Sequence, residues 1–182
     1  MTPAMSTVGT SFLTEARSLL SGDYLPKIER CLALLTDEQI WWRANPASNS
    51  IGNLLLHLSG NVRQWIVVGL GKSADTRDRD AEFAQRDVVP REELLSLLQE
   101  TLREADQTLT AFDETRLLDR FTIQGLEVSA LAATMHVVEH FSMHTGQIIL
   151  LAKMFAEVDL QFYDFKDGAA VQAWKTKPEP SK

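Results

Sequence analysis

Four histidines, His57, His136, His140 and His144, are the residues whose type and spacing point most directly to chemistry, and the last three recur every fourth residue. A step of four advances around a helix by only ~40°. His136, His140 and His144 therefore project from one helix face, within roughly 80° of one another. Ala133, Val137, Ile148 and Leu151 share that face, which turns the imidazoles toward protein rather than water. Burying several imidazoles is unfavourable unless each ring nitrogen finds a partner. A divalent metal ion is a shared partner: two histidines one turn apart reach the same ion. A third from a facing helix completes a site that keeps positions open for water and substrate. Such an ion generates a nucleophile near neutral pH. His57 is the candidate third ligand. It lies in a polar stripe with Asn53, Asn61 and Gln64 beside an apolar helix face. The stripe reads either as solvent-facing or as the lining of a cavity.

The pairing on the histidine-rich helix stays open at this level, because His136 with His140 and His140 with His144 both have the right spacing. His136-Val137-Val138-Glu139-His140 also fits the HxxEH pattern of inverted zinc proteases, with Glu139 as general base. That reading leaves His57 and His144 unused, and few acidic residues follow to supply its third ligand. A ferritin-like di-metal site needs two Glu-x-x-His motifs, and neither is present. The lone cysteine, Cys31, excludes an intrachain disulfide and any cysteine-only zinc site. It matches no catalytic dyad, so a reaction that uses a thiol takes it from a cosubstrate. The run Arg77-Asp78-Arg79-Asp80 reads as a solvated, self-paired loop, with Arg79 or Arg86 as candidates to bind a substrate carboxylate. Trp41, Trp42 and Trp65 read as core or interface anchors.

The elements that must hold these residues follow from periodicity. A helix is expected from about Ser11 to Leu35, broken or kinked near Asp23 by Pro26. A short helix follows, capped by Thr36 with Gln39 reaching back, and Asn45-Pro46 marks a turn. A second long helix runs from about Ser50 to Leu70. The charged, aperiodic stretch from Gly71 to Pro90 is roughly 20 residues, long for a loop, and reads as a crossover along a bundle. A third helix runs from Pro90 to about Phe112. Arg120 to Val128 alternates around Gly125 and suggests a hairpin or extended arm. The fourth helix, from about Ser129 to Phe155, is apolar nearly all round, which predicts a place in the middle of the structure. The stretch after Ala156 carries Phe162, Tyr163, Phe165 and Trp174, then turns Lys/Pro-rich. The expected organisation is a single all-α domain over 1–175, a four-helix bundle with one long crossover, and a disordered tail at 176–182.

Composition agrees with this and removes several function classes. The chain has 182 residues, 45% hydrophobic and 24% charged, as expected of one globular domain. Its net charge of −7 argues against a general grip on nucleic acid or anionic membrane. No apolar run approaches the length of a bilayer span. Met1 to Thr10 has neither a basic residue nor an apolar run of signal-peptide type. A cytoplasmic enzyme or binding domain is the expectation.

Two segments resemble a known family. Asn49-Ser50-Ile51-Gly52-Asn53-Leu54-Leu55-Leu56-His57-Leu58 is similar to the second-helix motif of the DinB/YfiT-like superfamily. His140-Phe141-Ser142-Met143-His144-Thr145-Gly146-Gln147-Ile148 resembles its C-terminal His-x-x-x-His-x-Gly-Gln motif. The likeness spans roughly Phe12 to Phe155. It extends to a subgroup with Asp-Arg-x-x-Glu-Phe in the crossover, here Asp78, Arg79, Glu82 and Phe83. The resemblance implies a four-helix bundle binding one divalent metal ion, often nickel or zinc, through His57, His140 and His144. It also implies a frequent homodimer, for which the exposed remainder of the N-terminal helix is a candidate face. Characterised relatives include S-transferases and an isomerase that use low-molecular-weight thiols such as bacillithiol or mycothiol. The implied function is a metal-dependent enzyme acting on a small molecule by thiol transfer or hydrolysis. The alternatives are a non-catalytic metabolite-binding module of the same fold and the HxxEH protease. Ligating histidines usually donate their other N–H to an outer partner, and Asn53 and Gln147 are candidates for that role. His136 either joins them or lines the pocket, and Gly146 is expected to permit close helix packing.

Overall fold

The computed structural model describes residues 7–71, 73–157 and 159–173; Trp174 and the tail expected at 176–182 lie outside them. Helix α1 (Val8–Leu19) starts at Thr7, whose side chain accepts from the Thr10 N–H. The break expected before Pro26 is a widened turn instead. Leu20–Tyr24 winds as π-helix, with Leu25 N–H reaching the Leu20 carbonyl. Helix α2 (Leu25–Leu32) continues with Pro26 in its first turn. Proline has no N–H to donate, and its ring crowds the carbonyl four residues back. The wider turn relieves both problems without ending the rod. Helix α3 (Asp37–Trp41) carries the anticipated capping box of Thr36 and Gln39.

Helix α4 (Ile51–Val62) opens on a second capping box, Ser50 with Asn53. The sequence disguises it, because asparagine stands where glutamate or glutamine is usual. A second π-helical stretch, Arg63–Val68, extends the same rod. The crossover is not wholly irregular: α5 (Arg79–Ala84) forms within it, capped by Asp78 accepting from the Ala81 N–H. Helix α6 (Arg91–Ala111) begins directly after Pro90. The expected hairpin is present as β1 (Arg120–Ile123) paired antiparallel with β2 (Leu126–Ser129). Its two-residue turn, Gln124-Gly125, has positive φ at both positions, as a type I′ turn requires. Helix α7 (Ala130–Ala156) is capped by Ser129. Beyond it, β3 (Tyr163–Lys166) pairs with β4 (Ala169–Gln172) over Asp167-Gly168, where φ is 52° and 81°. No hairpin is expected here from the sequence, although Asp-Gly between two short runs is the usual signature of one.

The rods assemble as an all-α four-helix bundle: α1 with α2, α4 with its extension, α6, and α7. Helix α4 packs on α6 and α7, α1 packs on both of those as well, and α2 packs on α7. Ile28, Leu32, Leu55, Leu58, Leu98 and Phe141 are fully enclosed between them. One expectation fails. Helix α7 is not surrounded, because Leu131, Met135, Met143, Leu150 and Met154 remain exposed. Each rod of a four-helix bundle keeps one side outward, whatever its composition. Gly146 belongs to that exposed side. A Cβ placed there would meet nothing within 4 Å, so close packing within the chain does not account for it. Among the described residues, no helix is long and apolar enough to cross a membrane.

Candidate metal centre

Helices α4 and α7 face each other across the bundle, and their facing sides bring three of the four histidines to one point. His57 comes from α4; His140 and His144 come from successive turns of α7. His140 Nε2 lies 3.1 Å from His57 Nε2 and 3.2 Å from His144 Nε2. One nitrogen from each of the three lies within 4.8 Å of the others, an arrangement that could hold a metal ion. Nitrogens bound at about 2.1 Å in tetrahedral or octahedral geometry sit roughly 3.0–3.4 Å apart, which matches these spacings. His57 and His144 are buried. The polar stripe on α4 therefore points inward, with Asn53, His57 and Asn61 all enclosed.

The opposite ring nitrogens fix where the protons are. His57 Nδ1 is 2.9 Å from Glu82 Oε2, and a carboxylate only accepts, so His57 donates Nδ1–H to it. His144 Nδ1 is 2.7 Å from Gln147 Oε1, which likewise accepts. With those protons placed, the Nε2 atoms of neutral His57 and His144 are both lone pairs. His140 has at most one Nε2 proton to share between them, and its Nδ1 is buried with no partner among the described residues. Protonating the cluster is no remedy. Burial, followed by the charges of His144, His57, His136 and Arg77, pushes His140 down to about 3. Burial, followed by His57, also holds His144 below the ordinary imidazole range, against the opposing bond to Gln147. Converging lone pairs in a place that disfavours the proton suit a metal cation.

Glu82 stands in the crossover motif of the sequence, which gives no sign that it meets a histidine. It reaches the cluster from α5, and its side chain is only 10% exposed. Arg77, expected in a solvated loop, is instead buried and clamps both carboxylate oxygens: Nε donates to Oε1 at 2.7 Å and Nη2 to Oε2 at 2.9 Å. The 3.1 Å approach of Arg77 Nη2 to His57 Nδ1 is then a contact between two donors that share one oxygen. Burial favours the neutral acid, yet the bonds from Arg77 and His57 and their charges hold Glu82 below the ordinary carboxylate range. Phe83, next in the chain, lies against His57 with ring centroids 4.6 Å apart.

The other candidates divide. Gln147 bonds to a histidine, as expected. Asn53 does not: its Nδ2 donates to the carbonyls of Glu82 at 2.8 Å and Gln85 at 3.2 Å. It holds the crossover that delivers Glu82. His136 stays outside the cluster, tilted by 40° against Trp65 with 4.1 Å between centroids and within 3.4 Å of Asn61 Nδ2 through its Nε2. Glu139 is exposed, so HxxEH is not assembled as a protease site. Arg79 lies over the Phe83 ring, and Arg86 donates to the carbonyls of Phe83 and Gln85. Trp41 is an anchor, its indole N–H donating to the Val89 carbonyl at 2.9 Å. Cys31 is buried in the core.

Residues 7–168 match a family model described as a protein of unknown function, DUF1572. The chain belongs to this family. The DUF1572 chain has the fold of the DinB/YfiT-like superfamily. A conserved protein of Enterococcus faecalis superposes with a TM-score of 0.69 at 17% identity, covering 80% of this chain and 97% of that one. A DinB-like protein of Bacillus cereus ATCC 10987 gives 0.62 at 16% identity, covering 82% of this chain and 93% of that one. At these identities the likeness speaks for the fold. A comparison with curated proteins finds no match.

Proposed function

We propose that this DUF1572 protein is a metal-dependent enzyme acting on a small molecule by thiol transfer or hydrolysis. Its metal ligands are His57, His140 and His144. The observation that carries the reading is the convergence of three Nε2 atoms, two of them fixed as lone pairs by Glu82 and Gln147. The donor set is all nitrogen from neutral imidazoles, which suits nickel or zinc. When bound, such an ion supplies Lewis-acid activation of a thiol or a water near neutral pH. Three protein ligands, rather than four, favour a catalytic over a structural role.

The chain's own residues then have distinct tasks. Glu82 and Gln147 orient His57 and His144. Phe83 packs against His57, and Trp65 against His136, which limits the access of water to the cluster. His136 and Asn61 form a polar flank beside His140, with His136 Nε2 3.4 Å from Asn61 Nδ2 and the His136 and His140 rings 5.5 Å apart. Asn61 Oδ1 and Trp65 Nε1 are buried there without partners among the described residues, as expected of groups that meet polar atoms of a substrate. A thiol in the reaction comes from a low-molecular-weight cosubstrate, since Cys31 lies far from this chemistry in character: burial pushes its thiol up to about 12.

A homodimer belongs to the same proposal. The exposed apolar side of α7 is a better candidate face than the N-terminal helix, and Gly146 on that side lets two helix backbones approach closely. The enzyme reading is tested by loading metal-free protein with nickel or zinc and assaying thiol conjugation and ester hydrolysis with electrophilic probe substrates. Metal-dependent turnover that disappears in His57→Ala supports it. A loaded protein that turns over neither class contradicts it.

A further inference from the structure

The buried ion pair in the crossover belongs to no part of the metal-site motif, yet it is built into the site from three directions. Arg77 grips both oxygens of Glu82 and donates through Nη1 to Gln64 on the α4 extension, at 2.9 Å. Asn53, buried at the start of α4, holds the Glu82 carbonyl. Gly60, one turn beyond His57, forms the seat: a Cβ there would lie 1.9 Å from Glu82 Oε1 and 2.8 Å from Arg77 Nε. The carboxylate occupies the space that any other residue at Gly60 would fill. A buried pair of this kind is a poor source of stability by itself, because desolvation offsets most of the attraction. Beyond Arg77, the Glu82 carboxylate bonds to His57 among the described residues.

We propose that Glu82 is the positioning residue for His57. Its carboxylate, clamped by Arg77 and seated on Gly60, holds the imidazole as the Nδ1–H tautomer and turns the Nε2 lone pair toward His140 and His144. The crossover is thus part of the site, although it contributes none of the three converging nitrogens. The proposal rests on the three-histidine reading above. Outer carboxylate partners of this type fix the ligand's tautomer and raise its basicity. Their loss typically weakens metal binding by roughly 10–100-fold.

The test uses full-length protein and two readouts: long-range ¹H–¹⁵N spectra of the histidine rings in the metal-free state, and zinc affinity by chelator competition. Wild type should show His57 as Nδ1–H. Glu82→Ala should give a mixture of His57 tautomers and zinc binding weaker by about 10–100-fold. Glu82→Gln should fall between, because an amide oxygen still accepts from Nδ1–H. Gly60→Ala keeps both charges and displaces the carboxylate, so it should resemble Glu82→Ala, and it carries the test if burying unpaired Arg77 prevents Glu82→Ala from folding. An unchanged His57 tautomer, or zinc affinity within about twofold of wild type in a folded variant, overturns the proposal. Wild type that binds neither zinc nor nickel overturns the three-histidine reading instead. The tautomer measurement on metal-free protein still decides the role of Glu82 in that event.

Discussion

Gly60 and Glu82 compete for one volume: a methyl group on the glycine would sit 1.9 Å from the carboxylate oxygen. The residue on α4 must stay small for the crossover to close. Gly60→Ala should therefore destabilise the fold, by about 1–3 kcal/mol as for other overpacked sites. Gly22→Ala is the control, because a Cβ there meets nothing nearer than Ser18 Oγ at 3.8 Å. Urea unfolding should show a lowered midpoint for the first variant and little loss for the second. Equal midpoints would show that the crossover accommodates a side chain beneath it.

The histidine cluster predicts a pH dependence with a definite sign. His140 titrates near pH 3 in the folded protein, against an ordinary value of 6.5, because it is buried and faces other histidines and Arg77. The unfolded chain takes up that proton as pH falls through about 6.5, while the folded chain does not until near 3. Stability is therefore full above the unfolded value and declines as pH drops below it. Glu82, held below 4.5 in the folded state, acts in the same direction at lower pH. Metal-free protein should show a falling urea midpoint as pH goes from about 7 to 5, with a shallower fall in His140→Ala. A pH-independent midpoint would contradict the burial of neutral imidazole.

Much of the fold was legible because each signal was local. Thr36 with Gln39, Gly125 between alternating residues, and the long apolar rows each specify their element through a few neighbours. The π-turn before Pro26 was not legible, since helix propensity cannot say whether a proline ends a rod or widens it. The Asp167-Gly168 hairpin carried an adequate local signal, a turn dipeptide with strand-favouring Tyr163 and Phe165 before it and Val171 after it. At the site, spacing put His136, His140 and His144 on one face and left their pairing open; the resemblance singled out His140 and His144, which converge with His57. Arg77 looked like an ordinary loop charge, and Glu82 stood in a crossover motif with no role attached to it. Their burial depends on Gly60, Asn53 and Gln64, a tertiary arrangement that charge patterning along the chain does not encode.

Cys31 separates two sources of thiol chemistry. It is enclosed in the core, and burial pushes its thiol up to about 12, so little thiolate exists at neutral pH. Native protein should react with Ellman's reagent only on the timescale of unfolding, and Cys31→Ala should retain any thiol-transfer activity. Rapid labelling of native protein, or activity lost in a folded Cys31→Ala variant, would assign the reacting thiol to the chain itself.

The outward side of α7 predicts the oligomer. Met143 and Leu150 are 53% and 63% exposed and flank Gly146 along that helix. Two copies related by a two-fold axis through this face would cover both. Light scattering should give a dimer for wild type and a monomer for Met143→Lys combined with Leu150→Lys. A monomeric wild type, or a dimer unaffected by both charges, would contradict this placement.

The central claim is that His57, His140 and His144 hold one divalent ion, and elemental analysis of untagged protein beside its His140→Ala variant tests it most directly. The account predicts about one nickel or zinc per chain in wild type and none retained by the variant. Wild type that remains metal-free after reconstitution with both ions would contradict it, and so would a variant that keeps the full complement.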